Sequence, residues 1–272
     1  MLDLLKEMFS YPVMVRAILV GTIVALCSSL LGVSLVLKRY SMIGDGLSHV
    51  GFGALALATA LNMAPLTISI PIVVLAAFLL LRINESSRIK GDAAIALIST
   101  GALAIGVMVI SLTTGMNTDV CNYLFGSILS MSQSDVNLSV VLSVIVLVLF
   151  ILFYNRIFSV TFDESFAKAT GTNAGLYNTL IALLTALMIV LGMRMMGAML
   201  ISSLVIFPAL TAMRLFKSFR GVVVCAAVTS VCCFCAGLMA SWTLSTPVGA
   251  SVVVANLTLF LLSCAAGWLR RR

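Results

Sequence analysis

Between residues 12 and 268 the chain alternates long apolar runs with short polar breaks. The runs fall at about 12–37, 41–62, 65–81, 92–113, 136–154, 175–193, 195–213, 221–243 and 246–268. Most approach or exceed the roughly 20 residues a helix needs to cross hydrocarbon. The third is short, opens on Pro65 and contains Pro71, which predicts a kink. The second carries Gly44, Gly46, Gly51 and Gly53, which threaten to break its helix. The expected fold class is all-α: a polytopic integral membrane protein of about eight to nine transmembrane helices. No polar linker interrupts the pattern, so 1–272 is expected to form one domain.

Composition agrees. The chain is 62% hydrophobic and 9% charged, whereas soluble domains carry roughly 25% charged residues. A soluble fold of 272 residues has no means of hiding so much apolar surface. The first ten residues, MLDLLKEMFS, set Leu2, Leu5 and Phe9 against Asp3, Lys6 and Glu7, the pattern of a short interfacial helix. The apolar run behind them is too long for the core of a cleavable signal.

The formal charge of +7 raises the question of nucleic acid, but the basic residues stand in small clusters between apolar runs. Thirteen of the sixteen fall on alternate connections: Lys38 and Arg39; Arg82, Arg88 and Lys90; Arg156 and Lys168; Arg214, Lys217 and Arg220; Arg270 to Arg272. That is the positive-inside pattern. It places the C-terminus in the cytoplasm and, if all nine runs span, the N-terminus outside. No nucleic-acid partner is expected. Of the seven cysteines, only Cys121 lies in a polar loop; the others read as small apolar packing residues.

Two connections are unusual. The outer one, 115–135, holds the apolar core YLFGSIL, too short to span and suited to a re-entrant or surface helix. The inner one, 155–173, has helix grammar of its own. Thr161 or Asp163 can cap it, Glu164 and Lys168 are an i, i+4 pair, and Gly171 can end it. Phe162 and Phe166 would then be exposed on the cytoplasmic side, facing either a protein partner or the lipid headgroups.

The candidate chemistry is sparse. Asp45 and the only histidine, His49, stand at i, i+4 spacing within GDGLSHVGFGA. On a helix starting at Ile43 or Gly44 they share one face, about 6 Å apart in rise, and can bind one cation. Alternatively Asp45 caps a helix starting at Gly46, and His49 bonds a neighbouring carbonyl. Ionisable residues within a membrane are costly and usually mark a transport path, and imidazole with carboxylate suits zinc or manganese. Arg194 sits where it can snorkel. Met193, Met195, Met196 and Met199 around it offer soft ligands or adaptable packing. Cys232 and Cys235 share a helical face without a nearby His or carboxylate. Pro208 should kink its span and free a carbonyl, amid the small residues Gly197, Ala198, Ser202, Ser203, Ala209 and Ala212. No G-x-x-x-x-G-K-[ST] occurs, so the chain has no P-loop for ATP.

Taken in order, KRYSMIGDGLSHVGFGALALA, GDAAIALISTGALAIGV, YLFGSIL, FDESFAKATG, GAMLISSLVIFPALTAMRL and STPVGASVVVANLTLF resemble successive blocks of the ABC-3 family of metal-importer permeases. The resemblance covers nearly the whole chain. It implies the type II-like ABC importer permease fold and a membrane subunit carrying zinc most readily, with manganese or iron as alternatives. It also implies a paired permease, an ATPase dimer in the cytoplasm and an extracytoplasmic metal-binding protein, in a bacterial plasma membrane. No cofactor would be permanently bound. By position, Asp45 and His49 match the family's metal-coordinating pair. Phe162, Asp163, Glu164, Phe166, Ala167, Lys168 and Gly171 match its ATPase-coupling helix. Gly46 and Val50 depart from the residues common there, and neither change removes a ligand. Two other classes remain open: a gradient-driven carrier, which would show an inverted repeat, and an intramembrane enzyme using Asp45 and His49 as acid and base.

Overall fold

The computed structural model describes residues 10–86, 91–113, 126 and 133–269. All nine apolar runs are helices: α1 (Pro12–Leu37), α2 (Ser41–Ala60), α3 (Pro65–Ser86), α4 (Gly91–Thr113) and α5 (Gln133–Leu152) come first. Two short helices follow, α6 (Tyr154–Phe162) and α7 (Glu164–Ala169), and then α8 (Ala174–Met196), α9 (Ala198–Leu215), α10 (Phe219–Leu244) and α11 (Val248–Leu269). Eight are long and apolar enough to cross a membrane. The ninth, α2, is also 20 residues long but is diluted by Asp45, His49, serines and glycines. The N-terminal interfacial segment, Cys121 and all of YLFGSIL except Gly126 lie outside the described residues.

Two expectations about local structure are corrected. The third run is not short: α3 has 22 residues, with Pro71 inside it. The glycines of α2 do not unwind it. They let its neighbours approach. A Cβ on Gly53 would stand 2.6 Å from the Ala102 carbonyl oxygen of α4, and one on Gly106 would stand 2.9 Å from the Gly53 Cα. Removing both side chains brings the two backbones together, as small residues do between helices in lipid.

The centre of the bundle is α1, α8 and α9. Leu31 and Val24 of α1, Leu184 and Met188 of α8, and Leu200, Ile201 and Leu204 of α9 are enclosed in one apolar core. Around it, α5 and α10 pack on α1, α3 packs on α8, and α10 and α11 pack on α9, while α2 joins the core through α8 and α9 and carries α4 outside it. Between α8 and α9 the chain turns at Gly197, whose φ of 88° a residue with a Cβ rarely adopts. Pro208 is accommodated within α9 and lacks the N–H that would bond the Leu204 carbonyl.

Candidate functional site

Because α2 starts at Ser41, with Tyr40 as its N-cap, Asp45 lies inside the helix and does not cap it. At 100° per residue, Gly44 and Ser48 share one face of α2, Gly46 and Gly53 another, and Asp45 and His49 the stripe between. The first face meets α9: Gly44 packs toward Val205, and Ser48 Oγ lies 3.4 Å from Ser202 Oγ. The second meets α4 at Ile95 and Ala102. The stripe between is open, leaving 45% of the Asp45 side chain and 26% of His49 exposed.

His49 Nε2 stands 3.6 Å from Asp45 Oδ2, too far for a good hydrogen bond. Two ligands each about 2.1 Å from a tetrahedral ion are about 3.4 Å apart, so the gap suits one shared cation. Ser202 Oγ donates to the other Asp45 oxygen, Oδ1, at 3.4 Å. Nothing in the spacing of residues identified Ser202 as part of this cluster. In sequence it stands only among the small residues of α9, and its contact with Asp45 depends on how two distant helices meet. Among the described residues no group of three His, Cys, Asp or Glu side chains gathers anywhere. Among the described residues, Asp45 and His49 therefore stand as a pair of possible ligands, with no third His, Cys, Asp or Glu gathered beside them.

Depth follows from the helix pairing. Gly44 meets Val205 while Ser48 meets Ser202, so α2 and α9 run antiparallel. From Asp45 to the far end of α2 at Ala60 is about 22 Å, and from Ser202 to the opposite end of α9 at Leu215 is about 20 Å. The pair thus sits near the middle of the bundle, because α2 begins well inside it.

At one end of the bundle, the inner connection folds as α6 up to Phe162 and then the expected short helix, which is α7 (Glu164–Ala169). Asp163, with φ −146° and ψ 99°, breaks the chain after α6, and its carboxylate caps α7 by accepting from Phe166 N at 2.9 Å. Thr161 is not the cap; its buried hydroxyl has no hydrogen-bond partner among the described residues. Gly171 takes φ 82° just beyond α7. Phe162, at 73% exposure, and Phe166, at 63%, point outward, whereas Ala167 is enclosed against Val160, Ala174 and Tyr177. Glu164 pairs with Lys168 at 2.8 Å and with Lys38 at 3.3 Å, and accepts from Asn178 at 3.1 Å. The Lys168 contact above all, with Asn178 and Lys38 adding to it against the opposing effect of burial, holds the Glu164 carboxyl down at about 2.

At the other end, Arg194 is paired with Asp135 of α5 at 3.2 Å. Met193, Met195 and Met196 are enclosed in the core, Met195 accepting from Ser139 at 3.0 Å, while Met199 is exposed. Cys232, Cys233 and Cys235 are free thiols.

A helical bundle with eight helices long and apolar enough to span, among the described residues, defines a multi-pass membrane protein. The chain belongs to the ABC 3 transport family, whose model matches residues 10–267. It is 30% identical over 253 residues to the high-affinity zinc uptake system membrane protein ZnuB of Haemophilus influenzae, covering 93% of this chain and 97% of that one. To the manganese import system permease protein ScaB of Streptococcus gordonii it is 26% identical, covering 96% and 94% of the two chains. A chain in the solved structure of PsaBC from Streptococcus pneumoniae in complex with Fab superposes with a TM-score of 0.85 at 26% identity, covering 96% of this chain and 94% of that chain.

Proposed function

We infer that this chain, as a single permease domain, is the membrane subunit of an ATP-driven importer that moves a divalent transition metal ion into the bacterial cytoplasm. Zinc is the first candidate, and manganese and iron are the alternatives; this chain performs no chemistry on its cargo. The observation that carries the reading is the Asp45–His49 pair, 3.6 Å apart on an open stripe at mid-depth. A transported ion must be held and then released, so a few ligands of modest strength suit a pathway better than a closed four-ligand shell. A second copy of the chain facing the stripe would bring a second pair and exclude lipid from both. The relatives named for zinc and manganese support a metal as cargo.

Energy must come from another chain, since this one has no P-loop. The exposed Phe162 and Phe166 at the α6–α7 break fit a cytoplasmic ATPase dimer, with Ala167 seating α7 on the bundle and Asp163 and Gly171 bounding it. The excess of basic residues on that side supports a cytoplasmic position for α7 and the C-terminus. The opposite side, with Arg194 and Asp135, faces an extracytoplasmic metal-binding protein.

The test is uptake of radioactive zinc or manganese by vesicles holding the permease, its ATPase and its binding protein. Asp45→Ala and His49→Ala should each abolish uptake while the complex still assembles. Normal uptake at limiting metal by either assembled variant would remove that residue from the pathway.

A further inference from the structure

From Met42 to Ala56 only Met42, Asp45, His49 and Gly53 of α2 are not buried. They recur at intervals of three and four, so they line up as one open stripe. Met42 is 50% exposed. It stands one turn from Asp45, about 4.5 Å along the axis toward the α7 end of the bundle.

The neighbouring helix adds a second sulfur. Ser202 of α9 touches Asp45, and Met199, one turn before Ser202, is 45% exposed. It is the one residue from Ala198 to Val205 that is not buried. Because α2 and α9 are antiparallel, Met199 lies on the Arg194 side of Ser202, at about the level of His49. Its direction agrees as well. Measured from the line where the two helices touch, the α2 stripe and Met199 are each turned by about 100° in the sense of chain advance. In antiparallel helices, equal turns of the same sense lead to the same side of the pair. Met199 therefore opens on the side that Asp45 and His49 face.

Two thioethers thus bracket the pair along the bundle axis, Met199 beside His49 and Met42 beyond Asp45. Thioether sulfur is a soft, uncharged donor that suits zinc, whereas manganese is served by carboxylate, carbonyl and water. We propose that Met42 and Met199 are further ligand positions of the metal pathway, one on each side of Asp45–His49, and that their sulfurs favour zinc over manganese. The inference rests on the reading of that pair as the transport site, and it names the ion the site prefers. A zinc ion passes from one sulfur to the pair and then to the other sulfur, so it is never stripped of ligands at one step.

The experiment uses the reconstituted complex of permease, ATPase and binding protein. Uptake of radioactive zinc and of radioactive manganese is measured at limiting concentration, and their ratio is compared among variants. The binding protein is common to all, so a change in the ratio belongs to the permease. Met42→Leu with Met199→Leu keeps size and apolarity and removes both sulfurs. Zinc uptake should fall about tenfold, the low end of what loss of a supporting contact to a bound metal produces, with manganese uptake unchanged. Met108→Leu is the control: this residue is 63% exposed on the side of α4 away from α2, and both ions should behave as in wild type. An unchanged ratio in the assembled double variant overturns the proposal. So does an equal fall for both ions, which altered packing alone would produce. Where the double variant does not assemble, the two single variants decide in the same way. Asp45→Ala separates this from the underlying reading. If that variant transports normally, the pathway and its thioethers both fall. If it abolishes uptake of both ions while the double variant keeps the wild-type ratio, the pathway stands and the thioethers alone fall.

Discussion

Ser202 of α9 reaches the Asp45 carboxylate of α2 at 3.4 Å, joining residues 157 positions apart where two antiparallel helices cross. The contact leaves Asp45 Oδ2 facing His49 and fixes which carboxylate oxygen is turned to the open stripe.

Ser202→Ala should therefore leave both proposed ligands in place but free the Asp45 carboxylate to rotate. Loss of an outer hydrogen bond to a metal ligand commonly lowers affinity by about tenfold or more. Uptake measured against metal concentration should show half-saturation shifted upward by a comparable factor, with the maximal rate little changed. Ser202→Thr keeps the hydroxyl and should restore the wild-type curve. Unaltered half-saturation in the alanine variant would reduce Ser202 to packing.

Gly53 and Gly106 should be among the least replaceable positions in the chain. A Cβ on Gly53 would press on a backbone carbonyl, which cannot rotate away as a side-chain tip can. Gly53→Ala is expected to cost about 1–3 kcal/mol through overpacking. Gly101, whose Cβ would meet nothing within 4 Å, is the matched control. Thermal unfolding in detergent should separate the two, with Gly101→Ala close to wild type and Gly53→Ala clearly lowered.

Phe166→Asp should detach the ATPase on purification. Phe166 is 63% exposed in the isolated chain and projects from a helix whose adjoining face, at Ala167, is already buried. Truncating an aromatic anchor at an interface typically costs about 2 kcal/mol or more. Ala167→Asp should instead unseat α7 itself, lowering permease stability as well as ATPase recovery. A complex that survives Phe166→Asp with full coupled hydrolysis would make α7 a membrane-surface helix.

The nine long helices were legible because apolar length is a strong signal and each run ends at charge, glycine or proline. Which helices form the centre was not. In lipid, Leu184 in the core and Leu97 on the outside are equally comfortable, so hydrophobicity carries no inside–outside information. For the glycines of α2, a sequence window shows backbone freedom that argues for a weakened helix and hides Ala102 packed against them. Asp45 and His49 were visible because i, i+4 spacing is local. Ser202 and the Lys38–Glu164–Asn178 network were not, since each joins residues brought together only by the packing of distant helices.

The α7 anchor should also be sensitive to acid, in a direction set by Glu164. Its carboxyl is held at about 2, below the ordinary 4.5, chiefly by the hydrogen bond from Lys168, with Asn178 and Lys38 adding to it and burial opposing. A carboxyl lowered on folding binds its proton less readily in the folded state, so protons favour release of the network. The stabilisation is therefore complete above the unfolded value near 4.5 and is lost as pH falls toward about 2. Because the Glu164 side chain is 36% exposed, solvent screening makes the effect modest. Thermal unfolding of the purified complex between pH 6 and pH 3 should show wild type losing stability faster than Glu164→Gln, which starts lower at pH 6. The two curves should converge toward the acid end. Parallel curves across the whole interval would mean that Glu164 contributes no proton-linked stability and that α7 is held by Ala167 and its apolar neighbours alone.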